Sequence, residues 1–407
     1  MNAGARAGWW RAALFAAAAA TALGCSALLT ETPDDGDLFD APLEGLTPEE
    51  LAIFADGDAQ FGKPFSVAEG LGPIFNNVSC AACHSGDGRG RPENALTRFS
   101  QGTDPAFALG GPQLQDRAIP GARPEQLPAG VNTSLRLPPP VFGVGLIEAI
   151  PDSVILSRVD SLDADGDGVS GRPSWVTPPD FVPASEPGGG AGPRLGRFSR
   201  KAQVASILHQ TVGAYHEDIG ISSDFLPVEL EHPQAGAAGF AFDKVADPEI
   251  PAAVVRVVVN YLRMLAPPAP GESTAQRLRG QLLFDSIGCA ACHTPVMRTG
   301  TSSIAALANR DVTLYSDLLL HDMGPGLADN RPDGAASGSE WRTTPLWGLR
   351  LVPQFLNGDA FYLHDGRARS LEEALLLHGG EAQGARDRFA ALPSADQTAL
   401  LDFVGSR

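Results

Sequence analysis

The chain has 407 residues, of which 43% are hydrophobic and 19% are charged. This composition is typical of a globular protein and excludes an intrinsically disordered one. The formal net charge is −18, with 48 acidic against 30 basic side chains. Because an acidic surface repels phosphate backbones and anionic lipids, we expect no nucleic-acid partner, whereas a basic partner protein is compatible with this charge.

The first 24 residues have the features of a secretory signal. They contain Arg6 and Arg11, no acidic residue, and an apolar run that is too short to span a bilayer. The run ends in Ala22-Leu23-Gly24-Cys25, which resembles a bacterial lipoprotein signal whose cysteine carries the lipid. We therefore expect residues 1–24 to be removed and the protein to lie on the periplasmic side of a bacterial envelope, lipid-anchored to the outer membrane. An ordinary signal peptide with an incidental cysteine is the alternative.

Local signals predict a mainly α fold. Helix starts are marked by capping residues, which are Thr47, Pro251, Ser273 with Thr274, Ser370 and Ser394. The apolar helix that follows Pro251 should stop at Pro267, since proline cannot continue a helix. Residues 85–195 are rich in glycine and proline and predict an enlarged loop region. No sustained alternation of apolar and polar residues occurs, so strands should be few and short.

Four cysteines form two copies of one motif, Cys80-Ala81-Ala82-Cys83-His84 and Cys289-Ala290-Ala291-Cys292-His293. In C-x-x-C-H the two thiols bond to the vinyl groups of one haem, and the histidine becomes the proximal iron ligand. A zinc site or a redox dithiol would leave the repeated histidine unexplained. Chance gives about 0.001 such matches in a chain of this composition. The sequence therefore predicts two covalently bound c-type haems, and with Cys25 lipidated it leaves no cysteine for a disulfide.

The two motifs belong to a diverged internal repeat. Phe75 and Phe284 each lie five residues before the first cysteine of their motif, and a Pro-apolar-aromatic-Gly step follows each motif at residues 140–143 and 345–348. A proline-rich segment at residues 266–271 separates the copies. The sequence therefore predicts a linker at residues 25–44 and two cytochrome c-like domains. The N-terminal domain, with haem 1, spans residues 45–266, and the C-terminal domain, with haem 2, spans residues 267–407.

An acidic stretch within the first predicted domain has the D-x-D-x-D-G head of a calcium-binding loop. Asp163, Asp165 and Asp167 alternate along it, and Gly168 supplies a sharp turn. Three carboxylates this close repel one another strongly without a cation. Ser174 stands where a full EF-hand has a glutamate, so we expect a weakly bound calcium ion, with a solvated acidic turn as the alternative.

Several segments resemble the bacterial dihaem cytochrome c peroxidase superfamily. Residues 342–349 (RTTPLWGL) are similar to its R-T-P-x-L-R-N step, and residues 362–374 (YLHDGRARSLEEA) to its Y-x-H-D-G…T-L-E-E-A pattern. Four further segments resemble more closely the family described as di-haem oxidoreductase, putative peroxidase or "thiol oxidoreductase": residues 70–76, 145–151, 320–324 and 377–381. The resemblance covers about residues 45–405 and implies an oxidoreductase with two c-type haems.

The resemblance also implies axial ligands. In the peroxidases the C-terminal haem takes a methionine eight residues after the threonine of T-L-E-E, and His378 stands at that place when counted from Ser370. His378 is therefore the expected second ligand of haem 2, opposite His293, and a histidine that complements its own helix end is the alternative. No histidine follows His84 before His209, so we expect haem 1 to be open and to be the reaction site.

Other candidate residues are weighed by their surroundings in the sequence. Glu148 could move protons near haem 1 or be a solvated or helix-terminal carboxylate. His321 and His364 lie inside the family motifs, and a structural hydrogen bond is expected for His364 in its turn. His209 and His216 are seven residues apart, so they should share a helix face and serve packing.

Three tryptophans, Trp175, Trp341 and Trp347, are candidates to carry electrons between the haems or simply to pack in the core. The expected function is an exported, peroxidase-like dihaem oxidoreductase in which haem 2 passes electrons to haem 1. Expected partners are a small electron-donor or acceptor protein and hydrogen peroxide or another small substrate, with membrane contact through the lipid anchor only. The alternatives are a pure electron-transfer cytochrome, which needs no open iron position, and an oxidase that modifies a partner protein.

Overall fold

The computed structural model describes residues 38–84, 86, 88, 90–230, 232–234, 241–356 and 358–407. The predicted signal peptide and Cys25 lie outside the described residues. About one third of the structure is helical, so the predicted mainly α fold is confirmed only in part, and the strands are few and short, as predicted. Within the described part of the chain, no helix combines the length and the apolar character needed to cross a membrane.

The α-helices are short, and only four exceed ten residues among those that the structure describes. They are α1 (Pro48–Gly62), α2 (Cys80–Cys83), α3 (Val144–Ala149), α4 (Asp152–Leu156), α5 (Ile207–Gly213), α6 (Ala252–Met264), α7 (Ala275–Ser286), α8 (Val352–Phe355), α9 (Leu371–Leu376), α10 (Gln383–Ala390) and α11 (Ser394–Gly405). Single 3-10 turns lie at Val67–Glu69, Pro92–Asn94, Phe107–Leu109, Cys289–Ala291, Ala305–Leu307, Leu349–Leu351 and Gly380–Ala382.

Most predicted helix starts are confirmed. Helix α1 begins with a capping box, in which the Glu50 backbone N–H donates to Thr47 Oγ1 over 3.2 Å and the Thr47 N–H donates to the Glu50 carboxylate over 2.8 Å. Thr274 caps α7 and Ser370 caps α9 through their side-chain oxygens. At α11 the predicted N-cap is one residue too late. Pro393 is the N-cap, and its carbonyl accepts the N–H groups of Asp396 and Gln397. Ser394 is already the first helical residue.

Helix α5 changes pitch at its carboxyl end. A π-helical turn, Ala214–Ile219, continues it directly, and the wider turn rotates the side chains that follow. His209 and His216 lie on either side of the start of this π turn and have different contacts. The His209 ring packs edge-on against Phe181 at 6.0 Å, whereas His216 Nε2 donates to the Val228 carbonyl over 2.9 Å.

The strands form five antiparallel pairs, and none of these strands is longer than five residues. The pairs are β1 (Ile74–Phe75) with β3 (Arg117–Ala118), β2 (Leu96–Ser100) with β4 (Asn132–Arg136), β5 (Ser174–Val176) with β6 (Arg194–Gly196), β7 (Met297–Arg298) with β8 (Asp311–Val312), and β9 (Leu320–Asp322) with β10 (Glu340–Arg342). Five of these ten strands fall at residues 85–195, where the sequence predicted an enlarged loop region, or at its edge.

The main apolar core contains buried side chains from Phe39 to Leu351. Helices α1 and α6 pack together on one side of it, while α7 and α11 pack together near a smaller cluster around Phe284 and Phe403. Side chains before and after the proline-rich segment at 266–271 contribute to the main core. The two predicted domains therefore share buried apolar surface.

The two Pro-apolar-aromatic-Gly steps of the internal repeat meet in a reciprocal contact. A Cβ atom added at Gly143 would lie 2.6 Å from the Trp347 ring, and one added at Gly348 would lie 2.5 Å from the Phe142 ring. Both glycines have positive φ angles, 71° and 76°, which favour glycine over other residues. Each copy thus packs its aromatic side chain on the glycine of the other copy, and Trp347 serves as a core residue here.

Candidate functional site

The second C-x-x-C-H motif opens into a large cavity. Helix α7 ends at Ser286, and Gly288, with a φ of 89°, turns the chain into the 3-10 turn that carries Cys289. The cavity has a volume of about 600 Å³ and is lined by both motif cysteines, by His293 and by His378. This volume lies within the range of about 300–1,000 Å³ typical of small-molecule and cofactor sites.

His293 is oriented by the backbone. Its Nδ1 donates a hydrogen bond to the Tyr315 carbonyl over 2.9 Å, which leaves Nε2 with its lone pair. Burial lowers the pKa of His293 to about 4, so the imidazole is neutral at pH 7. A neutral imidazole whose other nitrogen donates to a carbonyl is the usual form of a metal-ligating histidine.

His378 stands on the wall of the same cavity, just after α9. Its Nδ1 donates to the Ala374 carbonyl over 2.7 Å, and burial lowers its pKa. The side chain therefore complements its own helix end, as the alternative interpretation requires, and still leaves Nε2 available. The two imidazoles are close enough that His378 contributes to lowering the pKa of His293, after the larger effect of burial.

The cavity wall is rich in cations. Arg342 donates from Nε to the Ser199 carbonyl over 2.9 Å and from Nη1 to the Thr343 carbonyl over 3.1 Å. Arg388 donates from Nε to the Ile287 carbonyl over 2.8 Å. Haem carries two carboxylates, which pair well with planar guanidinium groups. Two thiols, two neutral imidazoles and these guanidinium groups around one cavity fit a covalently attached haem.

A buried charge cluster lies beside the second motif. His321 Nδ1 donates to Glu381 Oε2 and Nε2 donates to Asp317 Oδ2, both over 2.7 Å, and Nδ1 also lies 3.5 Å from Cys292 Sγ. Burial alone would lower the pKa of His321, but the hydrogen bonds to Asp317, Cys292 and Glu381 raise it to about 12. The sequence places His321 near a haem but does not reveal its two carboxylate partners. Asp317 lies four residues before His321, and Glu381 lies 60 residues after it. The one available signal for Glu381 is that it ends the 377–381 family segment.

An aromatic stack forms another part of the cavity wall. The rings of Trp341 and His364 lie 3.7 Å apart and are inclined by 13°. Lys201 Nζ lies 4.4 Å from the centre of the Trp341 ring. The sequence marks Trp341 and His364 separately as candidate residues but does not predict that their rings stack. By contrast Trp175, the third candidate, is 48% exposed on β5.

The first C-x-x-C-H motif has different surroundings. It forms α2, which is capped by Ser79, whose Oγ accepts the Ala82 N–H over 3.1 Å. Burial lowers the pKa of His84 to about 4, and its ring lies 6.2 Å from the Phe61 ring. His84 Nδ1 has no hydrogen-bond partner among the described residues. The Asn77 amide donates to Cys83 Sγ over 3.4 Å, so a neutral group occupies the place that His321 has at the second motif.

The segment 207–219 lies against the first motif. The backbone N–H groups of Asn76 and Asn77 donate to the Asp218 carbonyl over 2.8 and 3.0 Å. Three buried polar atoms of this segment have no partner among the described residues, namely His209 Nδ1, Thr211 Oγ1 and the Tyr215 hydroxyl. Buried polar groups are nearly always hydrogen-bonded, so unpaired ones beside C-x-x-C-H fit a site that holds a further group.

Glu148 has partners that hold the fold together. Its Oε2 accepts from Arg263 Nε over 2.6 Å, and its Oε1 accepts the Ile207 N–H at the start of α5 over 2.8 Å. Both carboxylate oxygens are therefore engaged by protein donors. The proton-transfer role of Glu148 stays a prediction.

The acidic loop brings together a different set of carboxylates from the predicted one. Oxygen atoms of Asp160, Asp163 and Asp165 lie within 4.8 Å of one another. Asp167, the third predicted ligand, instead accepts the Val169 N–H over 2.8 Å. Sequence reasoning missed Asp160, which lies three residues before the D-x-D-x-D pattern.

Comparison with protein families decides which family these features represent. A model of the family described as "Di-haem oxidoreductase, putative peroxidase" matches residues 18–101 and 123–407. The chain belongs to this di-haem oxidoreductase family. The family resemblance predicted from the sequence segments is thus confirmed.

Comparisons with curated proteins and with solved structures do not define the activity further. The comparison with curated proteins finds no match. Among solved structures, the chain is similar to hydrazine synthase of Kuenenia stuttgartiensis, determined under 20 bar of xenon, with 13% identity and a TM-score of 0.36. The similarity covers 93% of this chain and 99% of that chain. A similarity at this level carries no argument about the fold or the activity.

Proposed function

We propose that this di-haem oxidoreductase is an exported, peroxidase-like enzyme with two covalently attached c-type haems in tandem cytochrome c-like domains. The observation that carries the proposal is the cavity of about 600 Å³ whose walls hold Cys289, Cys292, His293 and His378 together. In this proposal Cys289 and Cys292 would hold haem 2 through thioethers, and His293 and His378 would ligate its iron. Haem 1 is attached by Cys80 and Cys83 and ligated by His84.

The haems would supply one-electron transfer and, at an open iron position, a binding site for peroxide. The protein's own groups prepare the second site for electron transfer. The Tyr315 carbonyl fixes the ring of His293 and makes it a stronger donor, because a hydrogen bond at Nδ1 raises ligand basicity. His378, whose Nδ1 donates to the Ala374 carbonyl, would ligate the iron through Nε2 and so close the site to exogenous ligands.

The allocation of histidines supports haem 1 as the reaction site. Outside the two motifs and His378, the chain has five histidines. Four of them are engaged elsewhere: His216 with a carbonyl, His232 with Glu125, His321 with two carboxylates, and His364 with Trp341. The fifth, His209, packs on Phe181 and keeps an unpaired Nδ1. Of the five, His209 alone could reach an iron, and we propose that it stays packed against Phe181, so that haem 1 would have His84 as its one histidine ligand.

In this proposal, electrons would pass from haem 2 to haem 1 through side chains that lie between the second-motif cavity and the first motif. Arg200 lines the cavity and also lies near the first motif, since its charge contributes to the lowered pKa of His364 and of His84, after the larger effect of burial. The Leu137 N–H donates to the His364 carbonyl over 2.9 Å and joins the chain after β4 to the cavity wall. In this proposal the Trp341–His364 stack is the aromatic part of the route.

The remaining features of the proposal rest on the sequence. Residues 1–24 would direct export and Cys25 would carry a lipid on the outer membrane, facing the periplasm. The partners would be a small electron-donor or acceptor protein and hydrogen peroxide. Calcium would bind weakly at the acidic loop, with Asp163 and Asp165 as ligands and Asp160 in place of Asp167.

A steady-state assay tests the proposed activity. Reduction of one hydrogen peroxide to two waters consumes two electrons and two protons, so the purified dihaem protein should oxidise two equivalents of a reduced one-electron donor protein per peroxide. The Cys80→Ala/Cys83→Ala variant, which lacks haem 1, should lose this activity. A wild-type protein that exchanges electrons with the donor but never consumes peroxide would contradict the proposal and favour a pure electron carrier.

A further inference from the structure

The charge cluster beside the second motif consists of three ionisable side chains that are almost fully buried. We define the triad as Asp317, His321 and Glu381. The His321 side chain is 3% exposed, that of Asp317 is 2% exposed and that of Glu381 is 13% exposed. Charges this deeply buried are costly unless they are paired, and a simple apolar contact would fill the same space without that cost.

The contacts fix the protonation state of the triad. A neutral imidazole has one N–H, yet each ring nitrogen of His321 faces a carboxylate oxygen at 2.7 Å. Glu381 Oε1 also accepts the Asp322 N–H over 3.0 Å, and Asp317 Oδ1 accepts the Leu319 N–H over 3.0 Å. Because donors surround both carboxylates, they act as acceptors and His321 is an imidazolium. The triad therefore holds one positive and two negative charges.

The triad lies against the haem attachment site. His321 Nδ1 is 3.5 Å from Cys292 Sγ, and the Asp317 N–H donates to the Cys292 carbonyl over 2.9 Å. Cys292 directly precedes His293. Both His321 and Glu381 also line the cavity itself. A charge buried beside Cys292 would act with little solvent screening on a haem held there.

The two ends of the triad have unequal surroundings. On the Asp317 side, the charge of the buried Arg342 interacts with the carboxylate and offsets part of its charge. At the other end, the Glu381 carboxylate accepts its remaining hydrogen bonds from neutral groups, the N–H and hydroxyl of Ser170, each over 2.9 Å, besides the Asp322 N–H. The negative charge of Glu381 is thus the less compensated of the two.

We propose that the triad is a positioning element that lowers the reduction potential of haem 2, with Glu381 as the residue that contributes most. One-electron reduction turns ferric into ferrous iron and removes one positive charge from the site. A fixed negative charge nearby stabilises the ferric form, so the electron is held less tightly. A low potential at haem 2 favours onward transfer of the electron to haem 1. This inference rests on the proposed function, since it requires a haem at Cys289 and Cys292.

At the first motif the donor to the second cysteine is neutral, while the charges of Asp218, Arg117 and Asp116 act on Cys83 after the larger effect of burial. The donor to Cys83 Sγ is the neutral amide of Asn77, and its Oδ1 accepts from the Val78 N–H over 3.0 Å. Neutral and charged donors to the second cysteine would separate the potentials of two otherwise similar haems. The triad also connects the cavity to the acidic loop, because Ser170, which directly follows that loop, donates to Glu381.

A redox titration tests the proposal on the holoprotein with both haems. The potentials of the two haems are measured by spectroelectrochemistry with dithionite and mediators in the wild type, in Glu381→Gln and in Asp317→Asn. We expect Glu381→Gln to favour reduction of haem 2 about tenfold, which is about 59 mV for one electron, and Asp317→Asn to shift it less in the same direction. The potential of haem 1 and the low-spin EPR spectrum of haem 2 should not change.

Two controls separate charge from structure. Ser170→Ala removes a donor to Glu381 without a change of charge, and Asp311→Asn removes a charge from an exposed ion pair in the same half of the chain. Neither should shift haem 2. An unmoved potential in Glu381→Gln, an equal shift in Asp311→Asn, or loss of haem 2 from both triad variants would overturn the proposal. A wild-type protein with fewer than two covalent haems would instead contradict the proposed function.

Discussion

The two C-x-x-C-H motifs have the same five residues but different environments. At the second motif His293 Nδ1 donates to a carbonyl, a further histidine stands on the wall of the same cavity, and a charged imidazolium contacts Cys292. At the first motif His84 Nδ1 has no partner among the described residues, and a neutral amide contacts Cys83.

This difference shows how one attachment motif can serve two roles. The motif itself decides only that a haem is bound and which histidine is proximal. Spin state and potential depend on the opposite ligand, on the hydrogen bond at Nδ1 and on nearby charge, all of which tertiary structure supplies. The proposed division into a reacting haem 1 and an electron-transferring haem 2 follows from those surroundings.

The largest expected effect is loss of one haem. The Cys289→Ala/Cys292→Ala variant should keep a single covalent haem. A haem held by thioether bonds survives extraction, whereas a haem held only by its histidine ligands is removed. Intact mass after acid–acetone extraction measures this. The Cys80→Ala/Cys83→Ala variant is the matched control and should lose the other haem. Two haem increments in either variant would contradict the assignment of the motifs.

The next effect concerns the spin state of one haem. His378→Ala should convert the low-spin EPR signal of haem 2 into a high-spin signal, because the iron loses its second strong-field ligand. The signal of haem 1 should stay the same. His216→Ala, whose ring bonds to the Val228 carbonyl, is the control and should leave both signals unchanged. A low-spin signal that survives His378→Ala would show that another residue closes the site.

Glu148→Gln separates a structural from a catalytic role near haem 1. Its side chain is 5% exposed and pairs with Arg263, so the change should lower the free energy of unfolding by about 1–3 kcal/mol, as measured by urea denaturation. Peroxide turnover in the folded variant should remain close to that of the wild type. Unchanged stability with a large loss of turnover would favour proton transfer by Glu148 instead. Glu186→Gln, which removes the other partner of Arg263, is the matched control.

A pH-dependent effect should occur at the second site. Burial would raise the pKa of Glu381, but hydrogen bonds from His321, Asp322 and Ser170 lower it from 4.5 to about 2. A carboxylate with a lowered pKa stabilises the fold above its unfolded pKa and loses this contribution as the pH falls towards 2. Wild type should therefore exceed Glu381→Gln in unfolding free energy at pH 6, by about 1 kcal/mol after solvent screening. A difference that stays constant down to pH 2.5 would contradict this.

The smallest expected effect is at the acidic loop. Asp165→Ala should lower the melting temperature by a few degrees in millimolar calcium and leave it unchanged in chelator, since an ion bound only to the native state stabilises that state. Differential scanning calorimetry in both buffers measures this. Asp167→Ala, outside the group of three carboxylates, should have less effect. Equal melting of Asp165→Ala and wild type in calcium would exclude the ion.

The parts of this structure that were predictable from sequence are those set by near neighbours. The capping box at Thr47 and Glu50 and the cap at Ser370 depend on residues three apart, and both are present. His378 could be located because it stands at a fixed distance after Ser370, and the cavity does contain it. Short-range patterns thus identified both motifs and one wall of the second site.

The parts that escaped prediction depend on distant residues or on local pitch. Glu381 lies 60 residues after His321 and reaches it only when the segments after the second motif fold together. Asp317 lies four residues before His321 but contacts it outside any helix, so no helical periodicity predicts the pair. The π-helical turn after Gly213 shifts the face of the residues that follow, which an ideal helical period cannot foresee. The short strands at residues 85–195 likewise lack the length that alternation requires.

The EPR spectrum of the oxidised wild-type protein, before and after hydrogen peroxide, tests the difference between the two haems most directly. The account predicts one high-spin and one low-spin ferric signal, with peroxide consuming the high-spin signal of haem 1 first. Two low-spin signals that do not respond to peroxide would contradict it. In that case both haems would be closed, and a dihaem electron carrier would describe the protein better.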